Sequence, residues 1–229
     1  MDDLFGKAML DFYTREGDMP LMLHTSYGDP EQVPLDQFFV EEDEFSDLEY
    51  FAMEQVRGSV LNIGAGSGRH SLAIQNRSHQ VTALDISPAC GTVMRLSGVK
   101  NIIQEDVFHF TGKKYDTLLM LMNGIGIAGN IAGVHTLLQH VKSMIKPGGQ
   151  LLLDSSDIGY LYEETEKPTN QYYGEVTYRY AYKHKLGPPF QWIYLDQDTL
   201  REIANENGWF CQVIFEDESE AYLARLQLK

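Results

Sequence analysis

Gly64-Ala65-Gly66-Ser67-Gly68 stands between an apolar run, Val60-Leu61-Asn62-Ile63, and a helical stretch. Glycines at such a junction let the backbone turn sharply and approach a ligand, and the helix start beyond them favours negative charge. The next apolar run, Val81 to Leu84, stops at Asp85, where a nucleoside ribose lying over the glycine loop would place its hydroxyls. A carboxylate accepts two hydroxyl protons at once, which few side chains do. Asp106 ends the third run, within reach of an adenine amino group. Together these residues point to an adenosine-containing ligand. The dinucleotide fingerprint G-x-G-x-x-G/A fails, because its third small position is Arg69 counted from Gly64 or Ser71 counted from Gly66. No phosphate-binding G-x-x-x-x-G-K-[ST] occurs either.

These residues need a sheet to hold them. Between residues 58 and 155, five short apolar runs alternate with helical patterns: those named, then Asn101–Gln104, Thr117–Met122 and Gln150–Leu153. Continuous apolar runs of strand length read as parallel strands covered on both faces. From Ile131 to Ile145, apolar residues recur every three or four positions, and Pro147-Gly148-Gly149 is expected to end that helix. The fold class is therefore α/β, a doubly wound parallel sheet with ligands at the carboxyl ends of its strands.

The flanks differ. Residues 1–57 carry two helical patterns, around Leu4–Arg15 and Phe45–Val56, joined by a stretch with Pro20, Pro30 and Pro34. After Asp154, Tyr178, Tyr180 and Tyr182 alternate with Arg179 and Ala181, a strand signal, and Gly187-Pro188-Pro189 turns the chain into a return strand at Phe190–Leu195. A helix from Asp196 or Asp198 to about Asn207 follows, then two strands, Trp209–Phe215 and Ala221–Leu228. The tyrosine face reads as sheet packing; the alternative is a cage, which would suit a cationic amine.

Val60 to Gly68 resembles the first motif of class I S-adenosylmethionine-dependent methyltransferases. Val81-Thr82-Ala83-Leu84-Asp85-Ile86-Ser87 resembles the second, Gln104 to Phe108 the adenine-contacting segment, Tyr115 to Leu119 the fourth strand, and Ile145 to Leu151 the entry to the fifth. Leu200-x-x-Ile203-Ala204-x-x-x-Gly208-Trp209-Phe210 is similar to the last helix and antiparallel strand. The resemblance implies a Rossmann-like, mostly parallel seven-stranded sheet with a terminal antiparallel strand pair over residues 58–229. A β-hairpin is inserted at about 174–195, and residues 1–57 form a helical lid. It implies S-adenosylmethionine as cofactor, S-adenosylhomocysteine as product, and in-line methyl transfer, but no particular substrate; a small-molecule acceptor is expected by elimination, from the acidic charge balance and the missing amino-methyltransferase tetrad. The cofactor-binding residues it implies are Asn62, Gly64, Ala65, Gly66, Gly68, Asp85, Ile86, Asp106, Val107 and Asn123. Asn62 departs from the family, which usually carries an acid there to hold the cofactor's amino group; an amide accepts that bond without charge assistance. Asn123, His24 and Tyr27 are the candidates for the acceptor pocket. No catalytic base is assigned, because an activated sulfonium needs one only if the acceptor must lose a proton. A non-catalytic S-adenosylmethionine-binding protein and a nucleotide-cofactor oxidoreductase are the competing readings.

Composition narrows the partners. Eighteen Lys and Arg against 33 Asp and Glu give a charge of −15, which repels nucleic-acid backbones and anionic membranes. The segment Asn123-Gly124-Ile125-Gly126 replaces the Asn/Asp-Pro-Pro-Tyr/Phe tetrad of nucleic-acid and protein-glutamine amino methyltransferases. Two cysteines, no basic signal segment at the N-terminus and no membrane-length apolar run make a cytoplasmic protein the expectation. His135 and His140 are five apart and no H-E-x-x-H occurs, so no metal site is expected.

Overall fold

A strand buried on both faces needs layers on both sides of its sheet, and the chain supplies them in order. The computed structural model describes residues 3–17, 19–163, 166–218 and 220–229. It opens with α1 (Leu4–Thr14), β1 (Met22–Thr25), β2 (Glu31–Gln32) and α2 (Asp47–Gln55). Strands and helices then alternate through β3 (Val60–Ile63), α3 (Arg69–Asn76), β4 (Val81–Asp85), α4 (Pro88–Ser97), β5 (Ile102–Gln104), β6 (Tyr115–Met120), α5 (Ile131–His140) and β7 (Ile145–Ser156). The chain ends with β8 (Glu175–Tyr182), β9 (Lys185–Leu186), β10 (Phe190–Ile193), α6 (Gln197–Glu206), β11 (Trp209–Glu216) and β12 (Ala221–Leu228).

The main sheet has seven strands in the order β11-β12-β7-β6-β3-β4-β5. β5 to β7 run parallel with their neighbours β3 and β4, whereas β12 is antiparallel to β7 and β11 to β12. This is the α/β arrangement expected from the sequence. After β5 the chain crosses to β6 on the far side of β3, which puts the switch point at the carboxyl ends of β3 and β6. One face buries Leu61, Leu118 and Leu151 against Leu137, Leu200 and Trp209; the other buries Leu119, Leu152 and Ile74 against Leu48 and Met53 of α2. Each such side chain stabilises the fold by about 1.5–3 kcal/mol.

Two sequence expectations are corrected here. The amphipathic pattern does not continue as α-helix to Ile145: α5 stops at His140, a 3-10 turn spans Val141–Met144, and Ile145 already pairs with Tyr115. Pro147-Gly148-Gly149 therefore lies within β7 and ends no helix. Nor is the N-terminal extension purely helical. β1 pairs antiparallel with β8, Leu23 opposite Tyr180 and His24 opposite Arg179, in a second sheet of order β10-β8-β1-β2. The inserted hairpin turns at Lys183-His184, both at positive φ, and Gly187–Pro189 separates the short β9 from β10. Among the described residues no helix is long and apolar enough to cross a membrane.

Candidate active site

The glycine loop adopts the backbone its composition allows. Gly64 and Gly66 have φ of +69° and +56°, and a Cβ built on either would meet nothing within 4 Å. At these two positions the absent side chain serves the backbone turn and leaves open space in front of it. Gly68 serves packing instead: a Cβ there would meet Met94 and Val99 at 2.7 and 2.9 Å, so it lets α3 and α4 approach.

Asp85 closes the loop from the next strand. Its Oδ2 accepts the Gly66 N–H at 2.7 Å and its Oδ1 accepts the Ser87 N–H at 2.8 Å. Burial pushes its pKa up, opposed by those two N–H donors, and the nearby charge of Asp3 pushes it further. A carboxylate offers about four lone-pair sites. Two hold the loop, which leaves one on each oxygen for a diol. Ile86 beside it is 60% exposed although aliphatic, a flat apolar patch next to the carboxylate. At the end of β5, Asp106 Oδ1 accepts the Phe108 N–H at 2.9 Å, and its Oδ2 lies 3.5 Å from His109; Val107 turns inward and is buried, as is Ala65 in the loop. The open backbone, the half-satisfied carboxylate and the bare Ile86 fit an adenosine unit. Asp85→Ala is expected to weaken S-adenosylhomocysteine binding by more than about 1.5 kcal/mol, roughly tenfold, by isothermal titration calorimetry. Unchanged affinity in the folded variant removes the ribose assignment.

Asn62 is 2% exposed, and its Nδ2 donates to Ser71 Oγ at 2.9 Å. Its amide nitrogen thus ties β3 to α3. Behind the loop lies a cluster that sequence reasoning missed. Glu49 of α2 accepts from Arg69 Nη2 and, at 2.7 Å, from His70 Nε2, while its second oxygen accepts Ser46 N–H and Oγ–H. All of Glu49, Arg69 and His70 are at most 9% exposed. Ser46-x-x-Glu49 is a capping-box pattern that marks the helix start, but nothing in it announces Arg69.

The loop after β6 holds the other half of the site. Met122 and Asn123 both have positive φ (63° and 54°), which is rare outside glycine. Asp154, at the end of β7, holds this turn: its carboxylate accepts the Met122 N–H at 2.9 Å and the Gly124 N–H at 3.0 Å. Burial pushes Asp154 up to about 6, against these N–H groups and with the help of the Glu49 charge. Asn123 Oδ1 accepts Ser155 Oγ–H at 2.8 Å, and its Nδ2 donates to the Ile193 carbonyl at 3.1 Å. Both ends of that amide are engaged, so Asn123 joins the two sheets. Gly126 makes room for Trp192, whose ring lies 2.1 Å from where a Cβ would be.

The second sheet faces this loop with aromatic side chains. Tyr27 and Tyr194 each hydrogen-bond Tyr178, Oη to Oη, at 3.1 and 3.0 Å. Tyr172 and Tyr173 donate to Asp196, and Tyr173 also to Asp157 at 2.6 Å. Burial raises the pKa of all five phenols. Tyr27 therefore belongs to the aromatic cluster. His24 does not: it pairs with Arg179 and so lies on the opposite face from Tyr178 and Tyr180, since side chains alternate along a strand. The N-terminal segment reaches both halves. Asp3 accepts Ser87 Oγ–H at 2.6 Å, Ser67 Oγ donates to the Phe38 carbonyl, and the Phe5 and Tyr180 rings lie 5.5 Å apart. No group of His, Cys, Asp and Glu among the described residues could hold a metal ion.

A family described as a methyltransferase domain matches residues 39–212. Over 99% of this chain and 94% of the other, the structure superposes with a TM-score of 0.92 and 39% identity on a SAM-dependent methyltransferase from Bacteroides fragilis in complex with S-adenosyl-L-homocysteine. The chain belongs to the class I S-adenosylmethionine-dependent methyltransferases. Two more distant structures share the methyltransferase's fold. A DhpI-SAM-HEP complex is 18% identical (TM-score 0.63, 99% of each chain), and CcbJ from Streptomyces caelestis is 11% identical (TM-score 0.64, 80% of this chain and 94% of that one). No curated protein sequence matches the chain.

Proposed function

We propose that this methyltransferase modifies a small-molecule acceptor held between the carboxyl end of its main sheet and the aromatic face of the second sheet. The observation that carries this reading is the meeting of the two sheets at Asn123. Asn123, in the turn after β6, is bonded to Ile193 of β10, which ties the nucleoside half to the second sheet and supports a shared cleft.

S-adenosylmethionine, when bound, supplies a methyl group already activated on a sulfonium. The chain's part is to bind, align and keep out water. Gly64 and Gly66 offer bare backbone, Asp85 the free lone pairs for a ribose diol, Ile86 an apolar face and Asp106 an acceptor for an amino group. The phenols of Tyr27, Tyr178 and Tyr194, all with raised pKa, stay protonated at neutral pH and orient an acceptor by hydrogen bonds without taking its proton. The N-terminal segment, anchored through Asp3 and Phe38, acts as the lid of the cleft.

Calorimetric titration with S-adenosylhomocysteine should give micromolar affinity with no response to NADPH. Incubating the protein with a cell extract and methyl-labelled S-adenosylmethionine should move label into a metabolite below about 1 kDa, read by mass spectrometry. Label only in protein or nucleic acid overturns the small-acceptor reading, and cofactor binding without any transfer makes the chain a sensor.

A further inference from the structure

The tyrosine cluster pairs its phenols with the carboxylates of Asp157 and Asp196, and three of the imidazoles are placed elsewhere. His24 is on the other face of the sheet, His70 is bonded to Glu49, and His140 is bonded to the carbonyl of Phe110. Asp154 holds the Met122–Gly124 turn through one N–H on each of its oxygens. Two carboxylates act on the phenols. Glu31 acts on Tyr27 and Tyr194, and Asp196 on Tyr172 and Tyr173. An anionic acceptor would meet no compensating charge from those groups.

One cation already sits there. The Lys167 ammonium lies 3.8 Å from the centroid of the Tyr173 ring, the phenol of which donates to Asp157. A Cβ built on Gly159 would meet Asp157 Oδ1 at 3.1 Å and Lys167 Nζ at 3.5 Å, so carboxylate and ammonium flank the same bare stretch of backbone. A ring face with a carboxylate at its edge is the arrangement that holds an ammonium ion by its charge and by the ring quadrupole.

We propose that the methyl acceptor is an amine that enters as its ammonium ion and docks on the Tyr173 ring beside Asp157, displacing the Lys167 ammonium. This rests on the methyltransferase reading above. The bound ammonium gives one proton to the Asp157 carboxylate, which passes it to water. The neutral nitrogen then forms the new C–N bond while the donor's C–S bond breaks, sulfur keeping the electron pair, and the product is an N-methylammonium with S-adenosylhomocysteine.

The test uses the full chain saturated with S-adenosylhomocysteine and three ring compounds of similar size: cyclohexylamine, cyclohexanol and cyclohexanecarboxylate. At pH 7 the amine should bind about tenfold more tightly than the alcohol, and the carboxylate more weakly than either. Asp157→Asn should remove most of that preference. Lys167→Met, which frees the ring of its resident cation, should tighten amine binding about threefold or more. Neither variant should change S-adenosylhomocysteine affinity. Alcohol or carboxylate binding as tightly as the amine overturns the proposal, as does amine affinity that Lys167→Met leaves unchanged or weakens. Should S-adenosylhomocysteine itself not bind, the cofactor reading falls first and this one with it. If it binds and the amine is not preferred, only the amine proposal is lost.

Discussion

Replacing Glu49 with leucine is expected to lower the melting temperature by about 10 °C or more. The substitution leaves the Arg69 guanidinium 9% exposed with no counter-charge, and its Nε already has no partner. Removing one member of a buried ion pair costs about 3–5 kcal/mol, and about 2–4 °C is lost per kcal/mol in a chain of this size. Scanning calorimetry measures it. The double variant Glu49→Leu, Arg69→Met should regain much of the loss, because an apolar pair of similar volume fills the same space without a stranded charge. A Glu49→Leu variant that melts within about 2 °C of the parent protein shows that the cluster does not hold α2 to α3. The Phe45 ring adds to the setting, with the Arg69 guanidinium 4.9 Å from its centroid.

The same cluster sets an acid limit. Burial opposes the charge on Glu49, but the His70 hydrogen bond and the adjacent His70 and Arg69 outweigh it, and its pKa falls to about 2 from the usual 4.5. A depressed folded-state value means stability that is fully present above pH 4.5 and lost as pH falls toward 2. His70 is driven below its usual 6.5 by burial and by Arg69, against the pull of Glu49. It is neutral at pH 7, and its contribution is lost as pH falls below 6.5. Melting temperature should therefore fall on acidification from about pH 6.5, and Glu49→Leu should flatten the part of that curve below pH 4.5.

How far the sequence could be read follows from how local each signal is. The strands β3, β4 and β6, the loop glycines and Asp85 are written in contiguous residues: apolar runs, then a turn that only glycine makes easily, then an acid at a strand end. Asp196 as cap and Gly208 as terminator of α6 are local in the same way. β1 is not. Met22–Thr25 has no alternation of its own and is flanked by prolines; it becomes a strand because Leu23 finds Tyr180, far along the chain. The helical period from Ile131 to Ile145 was real over α5 but blind to Tyr115, which takes Ile145 into the sheet. His24 was misplaced for the same reason, since which face it presents depends on β1 being a strand at all. Glu49 with Arg69, and Asp154 with the Met122 turn, are pairings between distant segments, for which spacing in one sequence holds no sign. Asn123 was singled out for its position at the end of β6, yet its two amide partners, Ser155 and Ile193, lie on elements whose approach only the folded chain reveals.

Asp154→Asn should cut kcat/KM about a hundredfold while cofactor affinity changes much less. The ionised carboxylate accepts both the Met122 and Gly124 N–H groups with charge assistance, which protonation removes; an asparagine turns an NH2 toward one of them. The turn it holds has two non-glycine residues in left-handed conformation, which cost about 1–2 kcal/mol each and persist only while their surroundings compel them. Released, the turn carries Asn123 and with it the link to Ile193, and a shift of about 1 Å in the reacting groups can cost about a hundredfold. Stability and activity pull in opposite directions here. With its folded-state pKa raised to about 6, Asp154 favours the folded chain most below its usual 3.8, and that contribution is lost as pH rises through 6. The ionised form that shapes the turn is the one the fold tolerates less. The acid limb of the wild-type pH–rate profile should accordingly have a midpoint near 6, absent in Asp154→Asn. In Glu49→Leu it should move to lower pH, because the Glu49 charge helps to raise Asp154. Wild-type turnover in Asp154→Asn, or a profile that keeps its midpoint near 6, would mean that the turn stands without its carboxylate.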